Sequence, residues 1–219
     1  MSRPSPELRA RVLAAVRAEP VPSRPAGTWR SVAIVALGLG SVVLLGQAGG
    51  GPQLRERPLG YVVALALVWL PIATLATWAG FGRGRSMLGR PAGWSFAVAV
   101  GTPAALLVTW LGVAVAWPET MQDASGGQAH LVCLLATLLL SVGPLVAFFV
   151  VRRGGDPVAP HLSGAATAAA AGAWGAAALP LFCGFTAPLH IAVGHVLPVA
   201  LMAALGALLG GWVFAVRAR

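Results

Sequence analysis

The sequence predicts an all-α polytopic membrane protein, with six transmembrane helices behind a short cytoplasmic amphipathic helix. Three observations predict it. Of 219 residues, 58% are apolar and 10% charged, where a soluble domain carries about 25% charged residues. The mean hydropathy is +0.81. The apolar residues also fall into six runs, each near the roughly 20 residues that a helix needs to cross hydrocarbon. Too few polar side chains exist to cover a water-facing surface, and the same composition excludes disorder. The chain divides into a tail, 1–28, and a helical bundle, 29–219.

The tail is the one long polar stretch. No apolar core follows in its first twenty residues, so it does not read as a secretory signal. Ser5-Pro6-Glu7 supplies an N-cap, a proline at the first helical position and an acid in the first turn. Leu8, Val12, Ala15 and Val16 then share one helical face, with Leu13 at its margin and Arg9 beside it; Arg11 and Arg17 point elsewhere. Pro20 ends the helix, and Pro20, Pro22 and Pro25 make 19–27 a stiff, extended stem.

The spans are placed at 29–48, 59–80, 94–117, 131–151, 161–181 and 190–214. The links 49–58, 81–93, 118–130, 152–160 and 182–189 are too short to hold a domain, so neighbouring helices run antiparallel. Trp29, Tyr61, Trp94, Trp117 and Trp212 lie near span ends, the level that amphipathic rings prefer. Ala165 to Ala178 is almost entirely Ala and Gly, which lets backbones approach and places the fifth span at the bundle centre. Pro71, Pro144 and Pro198 fall inside the second, fourth and sixth spans and read as kinks tolerated within a bundle. No Asp, Glu or Arg lies deep in a span, which counts against an ion pump or proton relay.

All fifteen basic residues are Arg. Chemistry that needs a lysine amine is therefore excluded. Thirteen of them (Arg3, Arg9, Arg11, Arg17, Arg24, Arg30, Arg83, Arg85, Arg90, Arg152, Arg153, Arg217 and Arg219) fall on one side of the predicted topology, and Arg55 and Arg57 on the other. By the positive-inside rule both termini lie in the cytoplasm. The net charge of +9 is then an orientation signal and not a nucleic-acid footprint.

Both cysteines and three of the four histidines fall at the other, outer level: His130, Cys133, Cys183, His190 and His195. Three readings stand. Cys133 and Cys183 could form a disulfide in an oxidising compartment. Thiolates with His130, His190 or His195 could hold a soft metal ion, with Cys133, Cys183 and His190 as the favoured set. They could also be small buried thiols and hydrogen-bonded interfacial imidazoles. His130 and Cys133 are three apart and can share a helix face, whereas His190 and His195 are five apart and share one poorly. No enzyme active site is legible: Ser163 lies a membrane thickness from His190 and His195, and His161 is two residues from it, off its face.

Several features together resemble one family. They are the chain length, the segment Pro6-Glu7-Leu8-Arg9-Ala10-Arg11-Val12-Leu13 ahead of the spans, Cys133 opening the fourth span and Cys183 before the sixth. The last is the stretch Pro188-Leu189-His190-Ile191-Ala192-Val193-Gly194-His195-Val196-Leu197-Pro198. The arrangement resembles the NrsF-type membrane anti-sigma factors and the related six-span anti-sigma proteins of light-controlled carotenoid regulons. Gly184-Phe185-Thr186 departs from the proline or acid expected soon after the second cysteine.

The resemblance implies a negative regulator of transcription. Its cytoplasmic side would sequester an extracytoplasmic-function sigma factor, with the bilayer as its other partner and no direct nucleic-acid contact. Leu8, Val12, Leu13 and Val16 would enter a groove on the sigma factor, steered by Arg9, Arg11 and Arg17. Cys133 and Cys183 would sense a redox, metal or light-derived stress, with His130, His190 and His195 beside them. A small six-helix transporter or permease is the alternative.

Overall fold

The computed structural model describes residues 24–48, 59–81, 91–118, 127–153 and 158–214, together with Glu7, Ala10 and Ala14. The chain forms two compact units, Met1–Ala33 and Ile34–Arg219. In the first, Glu7, Ala10 and Ala14 are helical and exposed. The residues expected to grip a partner (Leu8, Arg9, Arg11, Val12, Leu13, Val16 and Arg17) lie outside the described residues. So do the arginines of the links 49–58 and 82–90.

Every described element is helical. Helices α1 (Arg24–Ala48), α2 (Leu59–Phe81), α3 (Ala92–Ala116), α4 (Gly127–Arg152) and α5 (Pro160–Ala178) are each continuous, and a 3-10 turn, Leu179–Leu181, extends α5. The sixth, α6 (Pro188–Val213), is continuous in length but not in type. All six are long and apolar enough to cross a membrane. The helices match the expected spans to within about five residues: α1 begins at Arg24, so Pro25 lies in its first turn and not in the extended stem expected over 19–27, and α4 begins at Gly127 because its polar lead, Gln128 to His130, is already helical.

The alanine and glycine run puts α5 in the middle. Its apolar window is 83% buried, against 17–50% for the other five. The reason is steric: a Cβ added at Gly164 would overlap the Gly206 carbonyl and sit 2.7 Å from Gly210 Cα, so α5 and α6 touch backbone to backbone. Larger side chains fill the space on the other flank, where Tyr61, Leu65 and Trp69 of α2 meet Leu106 and Trp110 of α3. Tyr61, two residues into α2, is thus packed into the core.

Several buried and half-buried hydroxyls bond within their own helices. Thr77, Thr102, Thr109, Ser141 and Thr167 each donate to the carbonyl four residues back. Trp174 Nε1 donates to Thr77 Oγ1 at 2.9 Å and ties α5 to α2. At the end of the bundle that holds the C-termini of α2, α4 and α6, Arg152 donates to the Gly80 carbonyl. Its guanidinium also lies 5.4 Å from the centre of the Phe214 ring.

Candidate functional site

At the opposite end, three segments converge. The first turns of α4 carry His130 and Cys133. The chain then leaves α5 through the 3-10 turn, where the Phe182 and Cys183 amides both donate to the Leu179 carbonyl at 2.8 Å and fix the position of Cys183. Pro188 opens α6, which carries His190 and His195.

The four side chains Cys133, Cys183, His190 and His195 offer ligand atoms that all lie within 4.8 Å of one another. The Cys133 thiol donates to Cys183 Sγ at 3.3 Å, and Cys183 Sγ lies 3.1 Å from His190 Nε2. The His190 and His195 rings are 5.4 Å apart, and both are fully buried. Cys183 and Cys133 are 6% and 9% exposed, so the cluster is sealed from solvent on most sides. The Cys183 thiol is held well below the ordinary thiol range, first by the hydrogen bond from Cys133. His190 and His195 add to this, and burial opposes it.

The expectation that His190 and His195 share a face poorly is corrected here. In a regular α-helix, residues five apart point about 140° away from each other. Residues Ala192–Val196, however, form a π-helical turn, in which the Leu197 amide donates to the Ala192 carbonyl five residues back. One extra residue per turn brings position i+5 round to the face of position i. The metal set expected from sequence, Cys133, Cys183 and His190, therefore gains His195.

Pro198 supplies a cause for this turn. In an α-helix the donor to the Gly194 carbonyl is residue 198, and proline has no N–H; its ring also clashes with that carbonyl. The helix opens to relieve the clash. Thr137 of α4 then supplies a donor: its hydroxyl lies 2.8 Å from the Gly194 carbonyl and 2.8 Å from that of Cys133. Gly194 itself is needed for close approach. A Cβ there would sit 3.1 Å from Cys133 Cβ and 3.5 Å from His190 Nε2. Thr137 and Gly194 are the residues that sequence reasoning missed; glycine and proline four apart inside a histidine-bearing span are the signal that finds them.

His130 is outside the set of four. Its ring packs edge-on against His190 at 5.1 Å, and its Nδ1 is buried with no hydrogen-bond partner among the described residues. His161 belongs to the other end of the bundle, where Nδ1 meets the Ala207 carbonyl at 2.9 Å.

Two thiols and two imidazoles are a donor set suited to a borderline-soft ion such as Zn²⁺. Tetrahedral coordination at ordinary metal–ligand lengths places neighbouring donors about 3.3–3.8 Å apart. The two shortest separations, 3.3 Å and 3.1 Å, would open by about half an ångström to meet this, and pairs near the 4.8 Å limit would close by about 1 Å. The thiols are not bonded to each other, since a disulfide needs sulfurs about 2.05 Å apart.

Compared with known proteins, residues 13–215 match the family model described as NrsF, negative regulator of sigma F. No curated protein and no solved structure matches the chain.

Proposed function

The chain belongs to the NrsF family of negative regulators of sigma F, and from that premise we propose that it is a membrane-bound anti-sigma factor gated by its thiol and imidazole cluster. The observation that carries this reading is the burial of two cysteines and two histidines, ligand atoms together, at one end of six membrane-length helices. The π-turn that Pro198 opens brings a second imidazole to the thiols, and this supports a ligand role for the cluster.

In this reading the arginine-rich side faces the cytoplasm of the inner membrane, and the cluster faces the periplasm. The tail helix holds an extracytoplasmic-function sigma factor away from polymerase through Leu8, Val12, Leu13 and Val16, with Arg9, Arg11 and Arg17 drawing in an acidic partner surface. A bound soft divalent cation would supply positive charge that stabilises both thiolates in a buried place. Cys133, Cys183, His190 and His195 would hold it. His130, edge-on against His190, would orient that ring.

A second reading has its own observation. The thiols are in hydrogen-bond contact, so an oxidant from the periplasm could take two electrons and two protons from them and close a disulfide. Both readings make the same cluster the sensor of envelope stress.

The test is a transcriptional reporter for the cognate sigma factor, in cells carrying Cys133→Ser, Cys183→Ser, His190→Ala or His195→Ala. Loss of induction by Zn²⁺ or by a membrane-impermeant oxidant, with the protein still co-purifying with the sigma factor, supports the proposal. Induction unchanged in all four variants refutes it. Impermeant maleimide that reaches Cys133 or Cys183 only from the cytoplasmic side refutes the orientation.

A further inference from the structure

The output of a sensor must reach the part that holds its partner, and α1 is the helix joined to the tail. Among its described side chains, the buried ones are at Gly38, Val42 and Gly46, four apart and so on a single face. Ser31, Ile34, Val35, Leu39, Gly40 and Ser41 are half-buried, and the rest of the described side chains, including Leu37, Val43 and Leu44, are exposed. The span is only 17% buried, the least of the six.

That one face rests on the cluster. Val42 shares a buried group with Cys133, Leu140, Leu179 and Cys183. A Cβ at Gly46 would overlap the ring of Phe182, the residue before Cys183. Lower down, a Cβ at Gly38 would meet Ala147 Cβ at 2.5 Å and the Gly143 carbonyl of α4 at 2.9 Å. Each of these contacts is made to α4 or to the segment that carries a cysteine.

Within lipid, no hydrophobic force presses one helix on another; van der Waals packing does, and it is short-ranged. A gap of about 0.5–1 Å already forfeits a quarter to a half of that attraction. The two sulfurs stand at 3.3 Å. They must close to about 2.05 Å to form a disulfide, or open toward about 3.8 Å around a tetrahedral ion. Either change is of the size that a glycine-tight seat cannot absorb.

We propose that α1 is the output element of the sensor: it is docked on α4 and on the Cys183 segment in the repressing state, and chemistry at the thiols loosens it and with it the attached tail. This inference rests on the reading of the cluster as the sensor.

The experiment uses the full-length protein in membranes, with membrane levels matched by immunoblot. Gly38→Leu is expected to raise the unstimulated sigma-factor reporter at least tenfold. Gly40→Leu, where an added Cβ meets nothing within 4 Å, is expected to leave it at the wild-type level. Gly46→Leu is expected to derepress, and adding Phe182→Ala to make room is expected to restore repression.

In parallel, Co²⁺ added to the purified wild-type and Gly38→Leu proteins reads the cluster through thiolate charge-transfer absorption. The band is expected in both, because the ligands do not come from α1. Gly38→Leu that stays repressed and inducible, Gly40→Leu that derepresses equally, or a double variant that stays derepressed would overturn the role of α1. Absence of the Co²⁺ band from the wild type, with induction surviving Cys133→Ser, would instead overturn the sensing reading on which it rests.

Discussion

Replacing Thr137 with valine removes one buried hydroxyl at almost constant volume. That hydroxyl is fully buried and lies 2.8 Å from the Gly194 carbonyl of the π-turn. A buried hydrogen bond contributes about 1 kcal/mol net, and a carbonyl left without its donor costs about 1–3 kcal/mol. In membrane proteins, interhelical hydrogen bonds average nearer 0.6 kcal/mol. About 1 kcal/mol is therefore the expected loss, and it falls on the conformation that brings His195 to the thiols. It translates to a roughly fivefold weaker affinity for Co²⁺, read by thiolate charge-transfer absorption during a titration of purified protein in micelles. Thr137→Ser keeps the hydroxyl and is expected to bind within about twofold of wild type. Valine and serine variants with the same affinity would show that the hydroxyl does not hold the turn, and would refute this account of the site.

Three other outcomes follow from the same geometry. Pro198→Ala returns an N–H to the helix, so the π-turn is expected to relax to α, swing His195 about 140° from His190 and leave a three-ligand Co²⁺ spectrum, with amide exchange mapping the change. His195→Ala is expected to weaken Co²⁺ binding at least tenfold while His130→Ala changes it less than about threefold, because only the former belongs to the set of four. Gly206→Leu forces side-chain bulk against the Gly164 backbone of α5 and is expected to cost at least about 1–3 kcal/mol, seen as a lowered thermal midpoint in micelles.

Much of this fold is legible in composition and pattern. A run of about 20 apolar residues has few alternatives to a membrane-length helix, so the span positions follow from counting. The centrality of α5 follows from alanine and glycine, since small side chains admit close neighbours on every side. The site is legible only in part. Cys133, Cys183, His190 and His195 are visible as a group because topology puts them at one membrane level. His190 and His195 look incompatible at five residues apart, because that judgement assumes a regular helix. The exception is written in Pro198 and Gly194, but its stability depends on Thr137, a residue 57 positions earlier in another helix. No local pattern reports such a partner. The single buried face of α1 is likewise hidden, since Gly38 and Gly46 look like the many other glycines of the chain until α4 and Phe182 are placed against them.

The alanine-rich make-up of α5 also bears on how the protein is made. Its apolar window has a hydropathy of 1.2, against 1.9–2.5 for the other five spans. A segment that weakly apolar partitions poorly from the insertion machinery into lipid when it emerges alone. The 3-10 turn and a six-residue link join it to α6, whose hydropathy is 2.1. Insertion is therefore expected to be delayed, with α5 entering a bilayer only together with α6, as a preassembled hairpin.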